Sequence, residues 1–266
     1  MSGFSWAAFA QGLAPCAGAA LAVMLATFAV GLYKGVHRVV DVAWGIAFTV
    51  VALVSYVLSA GEGDDGRRLL VAVLTAVWGL RLAVHIARRG RGHGEDPRYA
   101  SMLAEAPGNP DLYALRKVYL LQGALVWVIS LPVQAAGYLT GPVAGWGWAG
   151  AGLWAVGLLF EGVGDHQLAR FKADPANHGK IMDRGLWAWT RHPNYFGDFC
   201  VWWGLFLIVC QAPGPAAATL VSPVLMSFLL IGGSGKALLE RHMAERPGFA
   251  AYRSRTSGFL PRPPRR

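Results

Sequence analysis

The segment RHPNYFGDF, residues 191–199, sets an arginine, a histidine, an asparagine and an aspartate at the lip of the apolar run CVWWGLFLIVC. Pro193 suits the first turn of a helix, and a helix N-terminus offers free N–H groups and a positive dipole end to an anion. Arg191, His192 and Lys180 add positive charge, with Tyr195 beside them. Asn194, Asp198 and Trp202 share one helical face below. Cations for phosphate, an amide and a carboxylate for hydroxyls, and an aromatic wall for a flat ring make a socket for an anionic ligand. A dinucleotide or another adenosine-containing cofactor meets that description.

Three other apolar stretches carry ionisable groups, each at a cost of roughly 2.5–3.5 kcal/mol for an Asp or Arg at the centre of a bilayer. In VVDVAWGIAF, Asp41, Trp44, Gly45 and Phe48 fall on one helical face. Asp41 reads either as an interfacial cap or as a carboxyl kept neutral by desolvation, able to donate a proton. In WGLRLAVHIARRG, the stripe Trp78, Arg81, His85 and Arg88 cannot face lipid. Arg81 needs an anion inside the bundle, whether Asp41 in a structural salt bridge or a ligand phosphate. In FEGVGDHQLARFK, Glu161, Asp165 and Lys172 share a face, either a solvated charged surface or part of the socket that follows.

Conjugate reduction of an enone needs such parts: a hydride at the β-carbon and an acid where enolate charge grows on the carbonyl oxygen. Asp41 could be that acid, with His85 or Arg81 as its neighbour. A nicotinamide would carry the redox step while the protein supplies geometry.

The elements that position these groups are long and apolar. The 266-residue chain is 55% hydrophobic, with a mean hydropathy of +0.39. Runs of about 20 apolar residues read as membrane-spanning helices, and seven are expected, at roughly 13–33, 39–60, 68–87, 117–138, 146–164, 195–212 and 216–235. The fold class is therefore all-α, a single transmembrane domain over 1–266. All but Arg67, Arg68 and Arg81 of the 24 basic residues then collect on one side. The positive-inside rule puts the N-terminus outside and the C-terminus in the cytoplasm. No basic n-region precedes the first run, so it reads as a retained helix rather than a cleaved signal.

Several classes lose support. Cys16, Cys200 and Cys210 lie in apolar segments without metal or disulfide spacing. Neither H-E-x-x-H nor a Cys/His cluster occurs, so no metal is expected. IGGSGKALLE departs from a phosphate-binding loop at Leu230 and Ala237. No internal repeat points to a transporter. Nucleic acid has only the net charge of +9 in its favour. The glycines of 145–164 read as helix-packing residues.

Four blocks carry a resemblance: VDVAWG (40–45), WGLRLAVHIARRGRGHGEDPRY (78–99), DHQLARFKADPANHGKIMDRGLWAWTRHPNYFGDF (165–199), and the tail SGKALLERHM with RPGFAAYRSRTSGFLPRPP. Together they resemble the steroid 5α-reductase family, most closely its bacterial 3-oxo-5α-steroid 4-dehydrogenase-like membrane branch. The resemblance implies a seven-span enzyme, with substrate-side helices over 1–138 and cofactor-binding helices, loop and tail over 139–266. It implies NADPH on the cytoplasmic side and a lipophilic 3-oxo-Δ4 steroid entering from the membrane lipid. By the same resemblance Asp165, Lys172, Lys180, Arg191, His192, Asn194, Tyr195, Asp198, Trp202, Glu240, Arg241 and Tyr252 are cofactor ligands. Asp41, His85 and Arg81 become the catalytic candidates, and Trp44, Phe48 and Trp78 the substrate wall. The sequence departs from the animal enzymes where their Gln–Glu pair reads Val40–Asp41 and their tyrosine position reads Trp78. The Ala-, Gly- and Arg-rich composition agrees with a bacterial inner-membrane location. Two other classes share features: an S-adenosylmethionine-dependent membrane methyltransferase acting on isoprenylcysteine or phospholipid, which also carries an R-H-P-x-Y-x-G turn, and a non-catalytic sterol- or lipid-binding protein.

Overall fold

A computed structural model describes residues 3–233 and 235–265, with His242 as backbone only. The described residues hold helices and no named strand; the pairs Phe4–Leu139 and Thr190–Ser257 are isolated bridges. The long apolar runs form α1 (Trp6–Lys34), α2 (Val39–Leu58) and α3 (Asp65–Gly90). Gly35, at φ 63°, ends α1 in the left-handed conformation that only glycine adopts cheaply. Asp64 caps α3 by accepting from the Arg67 N–H at 2.8 Å. Asp96–Pro97 and Asn109–Pro110 each pair a side-chain cap with a proline at the first helical position, and they start α4 (Pro97–Ala104) and α5 (Pro110–Ala114). A π-helical turn, Leu115–Leu120, then leads into α6 (Leu121–Ile129) and α7 (Leu131–Ala136).

Beyond these lie α8 (Trp146–Ala173), the single turn α9 (Leu186–Trp189) and α10 (Pro193–Val209). The chain closes with α11 (Pro213–Thr219), α12 (Val221–Ile231), α13 (Lys236–Met243) and α14 (Phe249–Arg255).

Among the described residues, five helical stretches are long and apolar enough to cross a membrane: Trp6–Lys34, Val39–Leu58, Asp65–Gly90, Pro110–Ala136 and Pro213–Arg241. The other two expected spans are also helices: α8, which carries Glu161, Asp165, Arg170 and Lys172, and α10, with 17 residues. The faces of α3 show the membrane pattern directly. Leu69, Val73, Val77, Leu80 and Val84 form an exposed apolar stripe, while Val71, Leu74, Trp78 and Ala83 are buried. In water that exposed stripe would be costly; against lipid chains it is the stable arrangement. These features are those of a multi-pass membrane protein.

The chain divides into two compact units, one of residues 1–144 with 209–219 and the other of 145–208 with 220–266. In the first, α2 lies on α3 at Gly45 and Gly79. A Cβ on either would run into the backbone carbonyl of the other. In the second, α8 and α10 cross through a glycine ladder, with Gly150 against Gly204, Gly157 against Gly197, and Gly164 against Pro193. The seven-residue spacing on α8 keeps the three contacts on one face. This is the close approach that small residues permit inside a bilayer.

Candidate functional site

In the first unit the chemistry gathers where α2 begins. The Glu95 carboxylate accepts from the His37 N–H at 2.5 Å and the Arg38 N–H at 2.9 Å, and from Asp96 N–H at 2.9 Å. Arg38 in turn donates to Gly94 O at 2.8 Å. This strap sets α4 beside Asp41. Arg98 Nη2 donates to Asp41 Oδ2 at 3.0 Å, and the Tyr99 hydroxyl donates to Asp41 Oδ1 at 2.6 Å. Asp96 accepts from both Nε and the backbone N–H of Arg98, at 2.9 Å each.

The electrostatics follow from these contacts. The Arg98 hydrogen bond holds Asp96 below the usual carboxylate range, and the same bond raises Arg98. Burial, reinforced by the Asp41 charge, pushes the Tyr99 phenol far above its ordinary value, so it stays protonated at neutral pH. Asp41 itself is 21% exposed, against 49% for Arg98.

Two sequence expectations change here. Of the two readings of Asp41, interfacial cap or proton-donating acid, the second does not fit its contacts: both its oxygens accept, one from a guanidinium, and the proton-bearing group of the pair is Tyr99. Trp44, Phe48 and Trp78 were expected as an open substrate wall. They form an edge-to-face series at 5.2 and 5.5 Å in which Phe48 and Trp78 are fully buried. The close Gly45–Gly79 approach shuts that face, leaving Trp44 half-buried. Arg81 and His85 sit half-buried one turn apart on α3.

A second polar chain lies nearby. Buried His37 meets the Tyr119 hydroxyl through Nδ1 and Asp111 Oδ1 through Nε2, both at 3.1 Å. Gly31 on α1 permits it, since a Cβ there would strike the Tyr119 oxygen at 2.6 Å.

In the second unit the glycine ladder carries Glu161 and Asp165 of α8, both buried, toward the start of α10. Asn194 Nδ2 donates to Asp165 Oδ1 at 3.3 Å, and the Asn194 side-chain oxygen accepts from Tyr195 N–H at 3.1 Å. His192 and Tyr195 stack at 5.6 Å. Asp198 stands one turn below Asn194, half-buried, and Lys172 and Lys180 are exposed. Trp187 donates from Nε1 to Gly164 O at 3.0 Å, fixing the 165–190 connection on α8.

The expected cationic socket is corrected at Arg191 and His192. Arg191 forks onto Glu240 through Nε at 3.0 Å and Nη2 at 3.2 Å, and Nη1 donates to the carbonyls of Arg253 and Thr256. His192 Nε2 meets the same Glu240 at 3.0 Å, and burial pulls its pKa down, toward the neutral ring. A planar fork already matched to a carboxylate is not a free phosphate clamp. Arg191, His192 and Glu240 instead bind the tail to α10. Tyr252 does likewise: its buried hydroxyl donates to Trp187 O at 2.6 Å. Trp202 is fully buried and belongs to the core rather than a ligand wall, and Arg241 is exposed.

The remaining group of Glu161, Asp165, Asn194 and Asp198 is rich in acceptors and suits ligand hydroxyls such as those of a ribose, with Lys172 and Lys180 as cations for phosphate. That donor set fits a nucleotide cofactor at its sugar better than at its phosphates. No cluster of three His, Cys, Asp or Glu able to hold a metal occurs among the described residues.

Sequence reasoning missed Tyr99, Arg98, Asp96, Glu95, His37, Asp111 and Tyr119. The available signal was the Asp-Pro of GEDPRY, a helix start that sets Arg98 and Tyr99 in the first turn of α4.

The profile of a family described as "Protein of unknown function (DUF1295)" matches residues 27–256. A curated relative, the uncharacterized protein C594.04c of Schizosaccharomyces pombe, is 24% identical over 253 residues, covering 84% of this chain and 72% of its own. No solved structure matches. The chain thus belongs to the DUF1295 family, a steroid 5α-reductase-like family of membrane proteins.

Proposed function

We propose that this protein is an NADPH-dependent reductase of the Δ4 double bond in a 3-oxo-Δ4 steroid or a similar lipophilic enone. In this reading it crosses the membrane seven times, with the C-terminus in the cytoplasm. The observation that carries the proposal is the Tyr99–Asp41 pair, a phenol held protonated at 2.6 Å from a carboxylate. It stands at the start of α2, one of the helices long and apolar enough to cross a membrane.

NADPH, when bound, supplies the hydride. The chain's own residues handle the carbonyl end. Tyr99 turns its hydroxyl from Asp41 to the substrate oxygen, where enolate charge grows, and a donor placed there lowers the barrier. Asp41 keeps Arg98 as its partner during that turn, so no bare carboxylate is left behind. Arg98, half exposed, keeps the pair in contact with water, from which the proton is restored. In the second unit Asn194 and Asp165, with Glu161 and Asp198, would hold the sugar hydroxyls of the cofactor, and Lys172 and Lys180 would supply cations for its phosphates.

The test is ligand protection of the detergent-purified protein against heat. NADPH should raise the unfolding temperature, and NADH should do so less. A larger rise with S-adenosylmethionine than with either would replace the reductase reading by the methyltransferase one.

A further inference from the structure

The segment after α12 has a second surface that the proposed reaction does not use. From Lys236 onward the chain carries eight basic residues against Glu240 and Glu245. The tail does not trail away. Thr190 donates from its hydroxyl to Phe259 O at 2.7 Å, Arg262 N–H to Trp189 O at 3.0 Å, and Arg265 N–H to Arg255 O at 2.9 Å. These bonds fold a proline-rich segment back along α14. The return closes a groove of about 460 Å³ lined by Ala244, Phe249, Ala250, Arg253, Ser254 and Arg265.

None of the described residues lining that groove is a carboxylate. The fold has brought two arginines to one cleft, an arrangement that favours an anion. Glu240 is already taken by Arg191 and His192, and Asp183 by Arg255. The same platform exposes Trp189 and Leu260, which the Arg262–Trp189 bond keeps close in the chain path. An exposed tryptophan and leucine on the two segments that this backbone bond ties together are parts of an interfacial anchor.

We propose that this groove binds the phosphodiester headgroup of an anionic phospholipid, with Arg253 and Arg265 as its cations. Trp189 and Leu260 enter the acyl boundary. Basic segments next to a membrane helix act on anionic lipid in this manner. The proposal is independent of the reductase reading.

The test is native mass spectrometry of the full chain in neutral detergent with added phosphatidylglycerol or phosphatidylcholine. The parent protein should retain one phosphatidylglycerol that Arg253→Ala/Arg265→Ala binds roughly 30-fold more weakly, about fivefold for each arginine. Arg253→Lys/Arg265→Lys should keep most of the binding, and Arg89→Ala, an exposed arginine elsewhere, all of it. Arg265→Glu, at a residue whose backbone N–H bonds Arg255 O, serves if the double variant does not fold. Equal retention of phosphatidylglycerol by parent and variants would overturn the proposal. So would retention of phosphatidylcholine to the same degree, or displacement of the lipid by inorganic phosphate or NADPH at micromolar concentration.

Discussion

The two polar sites are assembled by opposite means. In the second unit, helices α8 and α10 do the work: three glycine contacts bring Asp165 to Asn194 along a rigid helical face. In the first unit, the partners of Asp41 both arrive on the short helix α4, 57 and 58 residues away in the chain. The first arrangement is fixed by packing and the second by hydrogen bonds to backbone and carboxylate. A site built on helix packing resists solvent and motion. One strapped on by a loop can let a phenol turn between two acceptors.

The sharpest way to break this contrast is at Tyr99. Tyr99→Phe keeps the ring and removes the donor, so turnover of a 3-oxo-Δ4 steroid should fall about 10²–10⁴-fold. NADPH affinity, measured by tryptophan quenching, should stay within about twofold of the parent. A parallel loss of both would mean that the two sites are not chemically separate.

The helix-built side breaks differently. Gly157→Leu pushes a side chain into Gly197 and should destabilise the protein by about 1–3 kcal/mol, read as a lower unfolding temperature in detergent. Gly152→Leu, on the same helix but facing open space, should change little. Equal effects of the two would deny that the ladder sets the site.

The smallest effect is a difference in pH response. Burial depresses the His192 pKa in the folded state. As pH drops below an unfolded value of about 6.5 the unfolded chain takes up the proton first, so stability falls from there down to the folded value and levels off below it. Asp96 is depressed by its Arg98 bond. Its contribution is complete above about 4 and is lost only as pH falls further. On acidification, hydrogen exchange should therefore rise in the α10 and tail segment before it rises in α4. The reverse order would contradict these assignments.

The sequence showed the helices because apolar length marks a helix, and it marked the glycines of 145–164 as packing residues without separating Gly150, Gly157 and Gly164, which meet α10, from Gly152 and Gly162, which face open space. It also showed Asn194 and Asp165 as site candidates, the first from the helix-start chemistry around Pro193. What it did not show are partners brought in from far along the chain. Glu240 neutralises Arg191 from 49 residues away, and Tyr99 reaches Asp41 across a helix and a loop. Trp78 and Trp202 misled for another reason. A helical face can meet lipid, ligand or another helix, and periodicity alone does not distinguish them; here both faces meet other parts of the fold.

The central claim is hydride transfer, and isotope tracing tests it most directly. The purified protein would be incubated with NADPH deuterated at the transferable position and a 3-oxo-Δ4 steroid, and the product analysed by mass spectrometry and NMR. The account predicts one deuterium on the β-carbon of the saturated ketone and a solvent-derived proton on the α-carbon. Unchanged steroid, with methyl transfer from S-adenosylmethionine to a lipid thiol or phospholipid under the same conditions, would contradict it.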